Sequence, residues 1–191
     1  MNLIELFFQE PSASINPPNN VSNLYLLRRD IRACYGFDPN TNLKMENQII
    51  AIWPGVMAIM AGIDLLSKFY SGEDSNNKSR ERFLTYVSKY IDNRNQEVLY
   101  QLRNSLLHSF GLYSESFSGN IYKFNLGINY QSELVIVKKP YYLIDVNELR
   151  IKFEYSIELF KTEYSKLESF KKFILISEKY GWTRIRNINK M

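Results

Sequence analysis

The chain has 191 residues, 45% of them hydrophobic, 15% aromatic and 23% charged, which is enough apolar surface for one substantial core and an ordinary charge content for a folded domain. Cys34 is the only cysteine and His108 the only histidine, so intrachain disulfides and zinc sites built from clustered Cys and His ligands are excluded. The net charge of +4 is compatible with nucleic acid without requiring it.

Met1 to Glu10 carries Glu5 and Glu10 with no basic segment ahead of an apolar run; no secretory signal is expected, and a cytoplasmic location is. Pro11 to Ser22 holds three prolines among Ser and Asn and reads as a loop, so residues 1–22 are expected to form an N-terminal arm and residues 23–191 the domain. Leu24, Leu27, Ile31 and Cys34 recur at helical spacing, and Gly36 and Pro39 close that helix.

A long helical region is expected from about Lys44 to Tyr70, kinked at Pro54. Its run from Ile49 to Ile63 is uncharged, but a membrane span needs about 20 apolar residues. With Pro54 inside the run and Asp64 ending it, a core helix is expected rather than a membrane helix. Gly72 to Asn77 reads as a loop, and Phe83, Leu84, Val87, Tyr90 and Ile91 mark one face of the next helix.

The helix from Asn95 to about Phe110 is expected to bury Leu99, Leu102, Leu106 and Phe110 and to stop at Gly111. From Asn120 to Ile144 the period changes to two, with Tyr122, Phe124, Leu126 and Ile128 in one strand and Leu134 to Val137 in another. A small β-hairpin inserted among helices accounts for this, its strands pairing within one chain or between two. Asp145 and Glu148 have the spacing of a capping box. The stripe Val146, Leu149, Phe153, Ile157, Phe160, Tyr164, Leu167, Phe170 and Ile174 predicts one long helix of about eight turns, packed against other helices or a second copy of the chain. After residue 160, Lys161, Lys166, Lys171, Lys172, Lys179, Arg184, Arg186 and Lys190 face only Glu163, Glu168 and Glu178; such a run suits a phosphate backbone, although a solvated helix face is the commoner explanation. No internal repeat or Gly-rich phosphate loop is present. The expected fold class is all-α, a helical bundle with a hairpin insertion near 120–144.

One segment concentrates the chemistry. Gln101 to Phe110 places the only imidazole, His108, within two helical turns of a guanidinium, Arg103, and an amide, Asn104. Asn104 and His108 are i,i+4 and share a face, where the amide is placed to orient the ring. Arg103 lies roughly 140° round the axis from His108 and must reach across or serve a site shared with another chain. Imidazole moves protons near neutrality, and guanidinium grips phosphate oxygens while staying charged. Those types suit metal-free RNA cleavage by attack of a 2′-hydroxyl on its neighbouring phosphate. A single imidazole does not readily serve as both base and acid, so a dimer apposing two such helices is favoured. Asp64 is expected either to pair with Lys68 at i,i+4, the preferred reading, or to meet Arg103 or His108 and orient them. Surface or core packing is the alternative account of Arg103 and His108, and Trp53 and the tyrosines read as core and interface residues.

Leu-Arg-Asn-Ser-Leu-Leu-His, at 102–108, resembles the signature of the HEPN superfamily, in which an Arg, often followed directly by a polar residue, precedes a His by four to six positions. Arg103, Asn104 and His108 match those positions, and the match covers about one helix. The resemblance implies a helical-bundle homodimer with apposed motifs, acting as a metal-independent ribonuclease in toxin–antitoxin or other defence systems, with RNA as substrate, an antitoxin as a further partner and no cofactor or metal; in other members of the superfamily it implies a non-catalytic binding module. A subset carries a Tyr two residues after the His, where this chain has Phe110. The hairpin and the Pro-rich segment have no counterpart in the resemblance.

Overall fold

The most apolar stretch of the chain becomes its central helix. In this computed structural model, which describes residues 3–11, 20–128 and 133–184, the helices are α1 (Leu3–Phe7), α2 (Asn23–Cys34), α3 (Ile52–Ser71), α4 (Ser79–Tyr90), α5 (Gln96–Ser109), α6 (Val146–Thr162) and α7 (Leu167–Tyr180). The strands are β1 (Asn20–Ser22), β2 (Tyr113–Glu115), β3 (Ile121–Gly127), β4 (Val135–Lys138), β5 (Tyr141–Asp145) and β6 (Trp182–Arg184). Residues 12–19 of the proline-containing segment, and Arg186 and Lys190 of the basic tail, lie outside the described residues.

The strands correct the all-α expectation: the fold is mixed α/β, with one sheet of two strands and one of four. The larger sheet runs β2-β3-β5-β4. The expected hairpin between the two alternating segments is absent, because β5 lies between them, parallel to β3 and antiparallel to β4. Alternation announces strands but not their partners. Tyr122, Phe124, Tyr142, Ile144 and Val135 share the buried face, where the rings of Tyr122 and Tyr142 stack at 5.1 Å.

α3 packs against α2, α4, α5, α6 and α7, the position of a core helix. By length and composition it is the one described helix that meets the requirements for crossing a membrane, so the expectation that the run is too short is corrected. Its start also differs: residues 44–51 are not helical, and α3 begins at Ile52. Pro54 then falls in the first turn, where a backbone N–H has no intrahelical partner to lose, and it begins the helix rather than kinking it. Gly62 lets α6 approach, since a Cβ there would lie 2.5 Å from the ring of Phe153.

The predicted eight-turn helix is two helices. A short 3-10 turn at Glu163–Ser165 separates α6 from α7, which packs on α3. The break shifts the helical phase, so Phe173 and Ile176 are buried while Phe170 and Ile174 are exposed. The start of α6 follows the sequence: Asp145 caps it, accepting from the N–H groups of Asn147 and Glu148, both at 3.0 Å.

The expected N-terminal arm is tied into the domain. Phe7 and Phe8 are buried, and Phe7 packs on Phe69 and Phe173 with ring centroids 4.5 and 5.3 Å away. Glu10 bridges two buried arginines of α2, Arg28 at 2.9 Å and Arg32 at 2.7 Å, while Glu154 of α6 reaches Arg28 at 2.7 Å. β1 pairs with β6.

Candidate functional site

The amphipathic pattern of α5 seats Leu99, Leu102 and Leu106 in the core and so fixes which residues remain at the surface. Arg103 and Asn104 are half-buried and His108 is exposed. The helix ends with Phe110 in the left-handed region, φ 50°, rather than at Gly111, and this turns the ring out to 72% exposure instead of into the core.

Arg103 is the hub. Its Nε and Nη2 donate to Oδ2 of Asp64 at 2.7 and 2.6 Å, joining α5 to α3. Its Nη1 donates to Oδ1 of Asn104 at 3.1 Å and meets Nε2 of His108 at 2.5 Å. The long side chain thus spans the angle between positions 103 and 108. Guanidinium has only donors, so this contact is a hydrogen bond when Nε2 of the ring accepts.

The four residues singled out from the sequence therefore meet, though not in the expected pairs. Asn104 contacts the guanidinium rather than orienting the ring. Asp64 pairs with Arg103 instead of Lys68, whose ammonium lies over the Tyr180 ring at 3.8 Å from its centroid. Burial foremost, with the positive charge of Arg82, draws the Lys68 pKa below the ordinary lysine value. The Asp64 and Arg103 side chains are only 19% and 14% exposed, so their attraction is less screened than a surface pair's.

His108 and Asn104 line an open groove of about 850 Å³ between α5 and the segment Tyr113–Ser118. The groove also holds residues that the sequence reading did not single out. Ser114 Oγ donates to Gln101 at 2.6 Å, Gln101 Nε2 to Glu97 at 2.9 Å, and Arg80 Nη2 to Glu97 at 2.5 Å. The polar steps Glu97, Gln101, Asn104 and His108, spaced four, three and four, were the available signal for a wet helix face. Their neighbours across the groove come from distant sequence.

Chemically, the arrangement offers one imidazole with a ring nitrogen against a guanidinium whose charge is balanced from behind. An anion between them would gain both groups. Among the described residues no group of three or more His, Cys, Asp or Glu side chains gathers to hold a metal ion.

No protein-family model, curated protein or solved structure matches the chain.

Proposed function

We propose that the chain is a metal-independent endoribonuclease of HEPN type, cytoplasmic and homodimeric, serving a toxin–antitoxin or phage-defence system. The observation that carries the proposal is the contact of Arg103 with His108, which lines an open groove, with Asp64 behind the guanidinium. In the reaction a phosphodiester displaces the Arg103–His108 contact. Arg103 holds the non-bridging oxygens as charge builds on phosphorus, and the freed Nε2 of His108 takes the proton of the attacking 2′-hydroxyl. Asn104 holds Arg103 in place or contacts the substrate. The leaving 5′-oxygen takes its proton from the second protomer's imidazole, which enters the reaction protonated and so released from its own Arg103; this is why a dimer is part of the proposal.

The test is incubation of unstructured RNA with purified protein in excess chelator. Products ending in 2′,3′-cyclic phosphate are expected, and they disappear in both His108→Ala and Arg103→Ala. Wild-type protein inert across a broad RNA panel overturns the proposal.

One observation favours a second reading, a non-catalytic binding module. Arg103 already directs four of its five N–H donors to Asp64, Asn104 and His108, an arrangement that also suits a rigid surface for a protein partner such as an antitoxin.

A further inference from the structure

The outer face of the four-stranded sheet carries a row of side chains that packing does not explain. The strand registers place Tyr113 beside Lys123, Lys123 beside Tyr141, and Tyr141 beside Lys138. Residues directly across a ladder point to the same face, so four adjacent strands present Tyr, Lys, Tyr and Lys in one line. The buried residues Tyr122, Phe124 and Tyr142 alternate with them and face inward, which puts the row on the open side. Tyr113 and Tyr141 are 48% and 46% exposed and Lys138 is exposed. The ammonium of Lys123 lies 5.6 Å from the centre of the Tyr141 ring.

Two exposed tyrosines on one line are surface available to a partner, and Lys123 between the rings with Lys138 beyond them argues against an apolar one. Aromatic faces separated by cations match the chemistry of a single strand of nucleic acid, whose bases stack while its phosphates seek charge. Duplex does not fit this description, because its bases are already stacked on one another. Three interstrand gaps make the row about 14 Å long, enough for a few nucleotides. One end is fixed in relation to the candidate site: Tyr113 also lines the groove that holds His108.

We infer that the outer face of the sheet binds single-stranded RNA through Tyr113, Lys123, Tyr141 and Lys138 and leads it to the groove at His108. The inference deepens the ribonuclease reading and rests on it for the identity of the substrate, but its test reads binding by itself. In Glu115, the next row brings a carboxylate near the track; with Lys139 in the adjoining turn, the face as a whole remains basic.

The experiment measures fluorescence anisotropy of a short, labelled, unstructured 2′-O-methyl RNA, which lacks the attacking hydroxyl and is not cut. Lys123→Glu combined with Lys138→Glu is expected to weaken binding at least about tenfold and to reduce the slope of log affinity against log salt by about 1.4, two single-strand phosphate contacts. Tyr141→Ala is expected to weaken binding about tenfold on any base sequence. Three of the four positions are exposed and Lys123 is half-buried, so thermal midpoints matching wild type are the control for folding. Wild-type protein that fails to bind, or variants that bind as tightly as wild type, overturn the inference. So does a change from dimer to monomer with RNA affinity intact, which would assign the face to a second copy of the chain. Loss of binding in these variants from a protein that cuts no RNA supports the platform and overturns only the ribonuclease reading; undiminished binding by the variants of a protein that does cut RNA overturns only the platform.

Discussion

The carboxylate of Asp64 takes two donors of the Arg103 guanidinium on one oxygen, at 2.6 and 2.7 Å, so a core helix sets the direction in which the motif arginine points. The Nη1 of the guanidinium is then turned to Asn104 and His108.

Asp64→Asn is therefore expected to cost about 2 kcal/mol of stability, the scale of a largely buried charged hydrogen bond. It is also expected to lower ribonuclease turnover per folded molecule by more than tenfold, about 1.4 kcal/mol or more in the barrier. Asp64→Glu, which keeps the charge, should recover part of the turnover. Denaturant melts and single-turnover cleavage check the two effects separately. Equal turnover per folded molecule in wild type and Asp64→Asn would leave Asp64 a structural residue only.

The Glu10 carboxyl makes acid stability a readout of the N-terminal tie. Burial pushes its pKa up, but hydrogen bonds and charge from Arg32 and Arg28 outweigh this and hold it below the ordinary 4.5. A carboxyl depressed in the folded state contributes stability that is complete above its unfolded value and disappears as pH falls through the folded value. The midpoint of thermal unfolding should thus fall as pH drops below 4.5, and Glu10→Gln should flatten that part of the curve. Parallel curves for the two proteins would show that Glu10 contributes nothing to acid sensitivity.

At Gly62 the predicted direction is loss. Alanine there would place a methyl 2.5 Å from Phe153, whose ring is fully buried, so overpacking is expected to destabilise by about 1–3 kcal/mol although alanine is the better helix former. Gly62→Ala combined with Phe153→Leu should lose less than the two single changes added together. Strict additivity in urea titrations would refute the contact.

At Phe110 the predicted direction is gain. The residue sits at φ 50° with its ring in solvent, and a left-handed backbone costs a side-chain-bearing residue about 1–2 kcal/mol that glycine avoids. Phe110→Gly is expected to raise the thermal midpoint. A lowered midpoint would mean that the exposed ring makes a stabilising contact, such as one across a dimer.

The parts legible in the sequence were those fixed by local periodicity. Leu24 and Ile31, Phe83 and Val87, and Leu99, Leu102 and Leu106 lie on buried faces as their spacing requires, and Asp145 caps α6 as its position before the apolar stripe implies. Long-range partners were not legible. The pairing of β3 with β5 is decided by packing on one face, which the alternating pattern does not encode. The turn at 163–165 contains neither Gly nor Pro and interrupts a stripe that continues on paper. At the candidate site, Arg103, Asn104 and His108 could be grouped because they share a helix. The choice of Asp64 between Lys68 and Arg103 depended on how α3 and α5 cross, and Arg80 enters the groove from a third helix.

The ribbon between β1 and β6 has a consequence for synthesis. Asn23 and Thr183, 160 positions apart, are hydrogen-bonded beside it, and Phe7 has Phe173 and Trp182 among its ring neighbours. As the chain leaves the ribosome, its first aromatic residues must wait for nearly the last described ones before they are covered. During that interval they are an adhesive segment, open to other chains until β6 closes over them.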